Sequence, residues 1–160
     1  MRRGCILRFA CVAFALWAAA EMATARAAEE APGLRTVDGL TVYLGVLPTA
    51  MVQGHQKDHT EWAMHGGIPR GRHAYHVIAA VFDAATGERI EDAGLQARVS
   101  SLGLAGVLRQ LEPMAIGGTI RYGDFFTLDG SGAFRIDLTI THPPGADLMT
   151  VEFIYDHRTR

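Results

Sequence analysis

Hydrophobic residues alternate with polar or small ones along much of the chain, with a period of two. Leu40, Val42, Leu44 and Val46 interleave with Thr41, Tyr43 and Gly45, which predicts a strand over residues 40–46 that Pro48 ends. Phe134, Ile136, Leu138 and Ile140 alternate in the same way with Arg135, Asp137 and Thr139, so residues 133–141 predict a strand with one wet face. Residues 73–83, 95–101, 107–114, 118–128 and 148–155 read as further strands. Turn chemistry falls between them at Thr86-Gly87, Gly117-Gly118, Asp129-Gly130-Ser131-Gly132 and Pro143-Pro144-Gly145. Pro113 is expected to stop pairing, and Gly123 to mark a bulge. About seven closely spaced strands without an amphipathic helix predict an all-β protein, an immunoglobulin-like antiparallel β-sandwich.

Two regions depart from this pattern. Residues 1–27 carry Arg2, Arg3 and Arg8, then an apolar run from Phe9 to Ala20, then Ala25-Arg26-Ala27. That order of basic, apolar and small residues reads as a cleaved signal peptide, and the apolar run is short of the ~20 residues a membrane span needs. The mature protein is therefore expected in the periplasm or secreted, without membrane insertion. Residues 28–38 read as a flexible leader and 39–160 as a single sandwich domain. Within that domain, 49–72 reads as a long polar loop, or a short helix flanked by loops, before the second strand, and a loop of that length in a compact domain is usually functional or disordered.

Removing residues 1–27 takes away four of the fifteen Lys and Arg and one of the seventeen acidic residues, leaving a net charge of −5 on the mature chain. Such a surface offers no basic patch for nucleic acid or anionic lipid and favours cations. Both cysteines, Cys5 and Cys11, lie in the signal peptide. A disulfide framework, a cysteine nucleophile, a zinc-thiolate site and an iron-sulfur centre are thereby excluded for the mature chain.

The remaining candidate chemistry is concentrated. Five of the seven histidines, His55, His59, His65, His73 and His76, fall between residues 55 and 76, interleaved with Asp58, Glu61 and Met64. Imidazole beside thioether in a thiol-free exported protein points to copper, with iron or zinc as alternatives. His65 and Met64 precede Gly66-Gly67, which lets the backbone fold closely around a ligand. His73 and His76 are three apart, so on a regular strand they face opposite sides, and a His76 on the inner side would be a buried core histidine. Met114 follows Pro113 at a strand end, from which it could turn toward the histidines or into the core. The candidate metal ligands are His65, His76, Met114, Met64 and His73. His55 and His59 lack the intervening glutamate of a metalloprotease helix and read as solvated loop residues, as does His157 near the C-terminus.

The run Tyr75-His76-Val77, Val81-Phe82-Asp83, Thr86-Gly87, Asp92-Ala93 and the strand pair 133–141 and 148–155 resembles the small exported YtkA-like domains. The resemblance covers roughly residues 73–157. It implies the immunoglobulin-like sandwich of periplasmic copper-handling proteins, although the Met-rich tract of such domains is reduced here to Leu111-Glu112-Pro113-Met114.

Two functions follow as expectations. The first is a periplasmic copper-binding or copper-delivery protein whose partners are the metal ion and a periplasmic or inner-membrane metal-handling protein. The second is a non-metal accessory module that docks on an exported or membrane complex. An enzyme is not expected, because no nucleophile elbow, phosphate loop or nucleotide fingerprint is present.

Overall fold

The computed structural model describes residues 31–53 and 67–158. Among them are nine strands and one short helix: β1 (Leu34–Val37), β2 (Leu40–Pro48), α1 (Thr49–Gln53), β3 (Ala74–Asp83), β4 (Arg89–Ile90), β5 (Gly94–Ser101), β6 (Val107–Ile116), β7 (Thr119–Thr127), β8 (Gly132–Thr141) and β9 (Met149–His157). All pairings are antiparallel, in the order β1-β2-β3-β7-β6-β5-β8-β9, with β4 continuing alongside β3. The protein is an all-β, immunoglobulin-like sandwich.

The alternation seen in the sequence is what makes two sheets close on one core. Val77, Ala79 and Val81 of β3 face Leu95, Ala97 and Val99 of β5 and Ile136, Leu138 and Ile140 of β8 across the interior, all buried. Between β6 and β7 the chain turns on Gly117 and Gly118, with φ of 59° and 77°. Two consecutive positive φ values are what a two-residue hairpin turn of the right twist requires, and glycine takes them without steric cost.

Several expectations are corrected. The strand count rises from seven to nine because β4 is too short to show a period and β1 lies inside the expected leader, where Leu34 to Val37 pair with Tyr43 to Leu40. The segment expected at 49–72 as a loop or a short helix flanked by loops begins with the helix, α1, and with β1 counted it precedes the third strand, not the second. Pro113 does not end its strand. β6 pairs with β5 through Leu111 and with β7 from Glu112 onward, so Pro113 sits where the strand has just left one neighbour and its missing N–H breaks no ladder on that side. Gly123 is not a bulge, since its pairing runs unbroken with Ile78 on one side and Glu112 on the other.

His157, expected as a solvated tail residue, is buried at 2% exposure. Its Nε2 shares a hydrogen bond of 2.7 Å with the Tyr75 hydroxyl across the sandwich. Tyr155 stacks on the imidazole and Phe134 meets it edge-on. Its Nδ1 is buried without a hydrogen-bond partner among the described residues, and neither tautomer relieves that. Replacing Tyr75 by Phe would orphan the second ring nitrogen as well. Tyr75→Phe is expected to cost about 1–3 kcal/mol in urea denaturation, and an unchanged midpoint would show that the cross-sheet bond contributes nothing.

Tyr122 ties β7 to the segment that leads from β4 into β5, at the opposite end. Its hydroxyl accepts from the Ala93 amide at 3.0 Å and donates to the Ile90 carbonyl at 3.3 Å. Burial pushes its ionisation above the usual tyrosine value of 10.0, and Asp92 and Glu91 push it the same way against the opposing Ala93 bond. The folded state thus favours the neutral phenol. That stabilisation is complete below pH 10 and is lost as pH rises through the raised value. Chemical denaturation at pH 9 and pH 11 should show wild-type stability falling, with a smaller fall in Tyr122→Phe.

Candidate metal centre

Along β3, Tyr75, Val77, Ala79 and Val81 point into the core, so His76 and Ile78 point out of the opposite face of the same sheet. His76 is nevertheless fully buried, at 0% exposure. It pairs with Phe125 of β7 and Leu47 of β2. The Phe125 ring lies against the imidazole with centroids 4.6 Å apart and planes tilted by 34°.

Met114 reaches the same place from β6. Leu111 faces the core and Met114, three residues further on, faces the other way. Its side chain is 1% exposed and lies outside the inter-sheet core cluster. The end of Met114 and the Nε2 of His76 converge over Gly123: a Cβ placed on that glycine would lie 2.5 Å from Met114 Cε and 2.7 Å from His76 Nε2. The separation of those two atoms is thus bounded by the sum of two short distances. The Met114 sulfur is one bond from that methyl, so an imidazole nitrogen and a thioether side chain share one covered place, and donors of these two kinds suit copper.

The structure therefore joins two of the sequence candidates, His76 and Met114, which lie 38 residues apart in the chain. His76 is not the core histidine that an inward-facing side chain would have made it, because the core side of β3 at this level belongs to Tyr75 and Val77. His73 precedes β3, and its Nε2 accepts a hydrogen bond from Arg72 Nε at 2.9 Å. Met64 and His65, with His55 and His59, lie outside the described residues. The two ends of the segment that carries them are fixed beside the pair, since Pro48 at the end of β2 pairs with Tyr75 and Leu47 pairs with His76 itself.

Two residues of this centre were not singled out as functional from sequence, Phe125 and Gly123. Which side of β7 Phe125 faces is set by pairing that the sequence does not state. Gly123 carried a usable signal, because a glycine inside a strand marks a bulge or a close approach. The second of these is the one realised. Charged groups stand on the same face: Glu112 pairs with Gly123 and Arg121 with Met114. Asp124, on the other face, is buried and bonded to Arg109 Nη1 at 3.4 Å through Oδ2, while its Oδ1 accepts the Phe125 amide at 2.6 Å. Among the described residues no three of His, Cys, Asp and Glu converge as a metal cluster.

Solved structures share this architecture. A DUF4426 family protein from Pseudomonas aeruginosa superposes with a TM-score of 0.57 at 16% identity, covering 77% of this chain and 91% of its own. A copper-bound glutamate-to-glutamine variant of FetP from uropathogenic Escherichia coli gives 0.60 at 13% identity, over 79% of this chain and 95% of that one. FetP as isolated, after recombinant expression in the periplasm of E. coli, gives 0.58 at 16% identity, over 81% and 96%. At these identities the likeness is one of fold. No family model matches the chain, and no curated protein matches it. Among the described residues no helix is long and apolar enough to cross a membrane.

Proposed function

We propose that this protein is a periplasmic copper binder that stores or delivers the ion and catalyses no reaction. The observation that carries the reading is the convergence of His76 Nε2 and the Met114 side chain over Gly123, both buried, on the face of the sheet turned away from the core. Both donors are neutral at the pH where an imidazole is free to ligate, and together they match copper better than a hard cation. Two further supports agree with it. One similar structure, the FetP variant, is copper-bound. The chain also opens with the basic, apolar and small residues of an export signal.

His76 and Met114 are the fixed part of the proposed site. His65 and Met64, which lie in sequence between the anchored ends at Pro48 and Ala74, are the residues proposed to complete it. The kinship with YtkA-like exported domains, and delivery of the ion to a periplasmic or inner-membrane metal-handling protein, belong to the same reading.

Titration of the purified mature protein with Cu(I) and Cu(II) at pH 7.5 and 5.5 tests it. Proteins are expected to bind through the imidazole only while it is neutral, with an unperturbed pKa of ~6.5, so affinity should fall at the lower pH as protons compete. His76→Ala should weaken both oxidation states at pH 7.5. Met114→Ala should weaken Cu(I) more than Cu(II), because the thioether prefers the softer ion. Wild-type affinity in both variants would remove the site, and the accessory-module reading would then stand in its place.

A further inference from the structure

Gly123 sits in the middle of β7 with an ordinary extended backbone, unlike the turn glycines of this chain, whose φ values are positive. Nothing in its conformation calls for glycine. What calls for it is space: an added Cβ would lie 2.5 Å from Met114 Cε, 2.7 Å from His76 Nε2 and 3.1 Å from the Val77 carbonyl oxygen. Carbon atoms do not sit that close to non-bonded neighbours, so one or both side chains would have to move.

The two are not equally movable. The Met114 methyl is the end of a chain with three rotatable bonds and can swing away. The His76 ring is enclosed, with Phe125 against it and no exposure to solvent. The Val77 carbonyl oxygen, fixed in the β3 ladder, is a third close neighbour of the added carbon at 3.1 Å. A side chain at position 123 therefore acts on the nitrogen that would hold the ion.

We infer that Gly123 is the positioning residue of the copper site: its missing side chain is the room in which the His76 nitrogen and the Met114 thioether meet on one ion. This rests on the reading of His76 and Met114 as ligands. It adds that the site's capacity is set by a residue that donates nothing. Sequences of this fold with a larger residue at the equivalent strand position would lack the site even with both ligands in place.

Gly45 supplies the control. It lies in β2, paired with Ile78 on the same face, and an added Cβ there would meet nothing nearer than the Ile78 carbonyl oxygen at 4.0 Å. Gly123→Ala and Gly45→Ala are compared with wild type by Cu(I) competition titration, by melting of the metal-free protein, and by X-ray absorption at the copper edge. Gly45→Ala should bind as wild type. Gly123→Ala should melt cooperatively yet bind Cu(I) about 10–100-fold more weakly, the range found for residues that orient metal ligands, and the copper that does bind should show an altered nitrogen and sulfur shell. A merely structural glycine would lower the melting temperature and leave that shell intact.

Wild-type affinity and an unchanged shell in Gly123→Ala would overturn the inference. If His76→Ala and Met114→Ala also bind as wild type, the ligand assignment itself fails; if those two weaken and Gly123→Ala does not, only the role of Gly123 fails. Should Gly123→Ala not fold, the double variant with Met114→Ala removes the methyl that the new carbon meets first. That double variant should bind more weakly than Met114→Ala alone, because His76 is still displaced, and equal affinity of the two would overturn the inference.

Discussion

The structure turns on the passage of one strand between two sheets. β6 gives its first half to β5 and its second half to β7, with the change of partner between Leu111 and Glu112. That single strand closes one side of the sandwich without a loop. It also sets the facing of its side chains: Leu111 is committed to the core, and the period of two then sends Met114 to the outer face of the neighbouring sheet. Pro113 is compatible with this because the strand has lost a neighbour on one side at that point. Had β6 stayed in one sheet, Met114 would not have been carried to the row of the other sheet that holds His76.

His76 and His157 show how little the residue type decides. Both are buried. His157 is enclosed by Phe134 and Tyr155 and shares a hydrogen bond with the Tyr75 hydroxyl, so its Nε2 is spent on joining the sheets. His76, next in sequence to Tyr75, faces the other way, toward a thioether and a bare stretch of backbone. Adjacent positions on β3 thus supply a structural hydrogen bond on one face and a candidate ligand on the other, as the alternation of a strand requires.

Strands whose inner and outer residues differ in polarity were legible from sequence alone, β8 above all, with Phe134, Ile136, Leu138 and Ile140 inside and Arg135 and Asp137 outside. Elements held by pairing more than by their own pattern were not. β1 has four residues among Pro, Gly and charged neighbours, and β4 has two, so neither can display a period. The site was legible in part for the same reason. His76 and Met114 stand out as residue types near strand ends, but their meeting depends on β3 and β6 both flanking β7, a long-range fact that no local window contains. Gly123 was legible as a strand glycine and not as a space, because what fills that space comes from two other strands.

The burial of the pair also bears on which ion it suits. The cost of moving an ion out of water rises with the square of its charge, so a divalent ion of a given size loses about four times the solvation of a monovalent one on entering the same surroundings. Imidazole and thioether donors are neutral and return none of that loss as charge pairing. A site meant for a hard divalent ion would be expected to bring carboxylates to the donor positions, as calcium and magnesium sites do. Here the acidic side chain on the same face, Glu112, is exposed, and the positions over Gly123 belong to the His76 nitrogen and the methyl end of the Met114 thioether. Burial and donor chemistry thus select in the same direction, toward a singly charged soft ion, and on the proposed reading that makes Cu(I) the favoured cargo over Zn(II) or Fe(II).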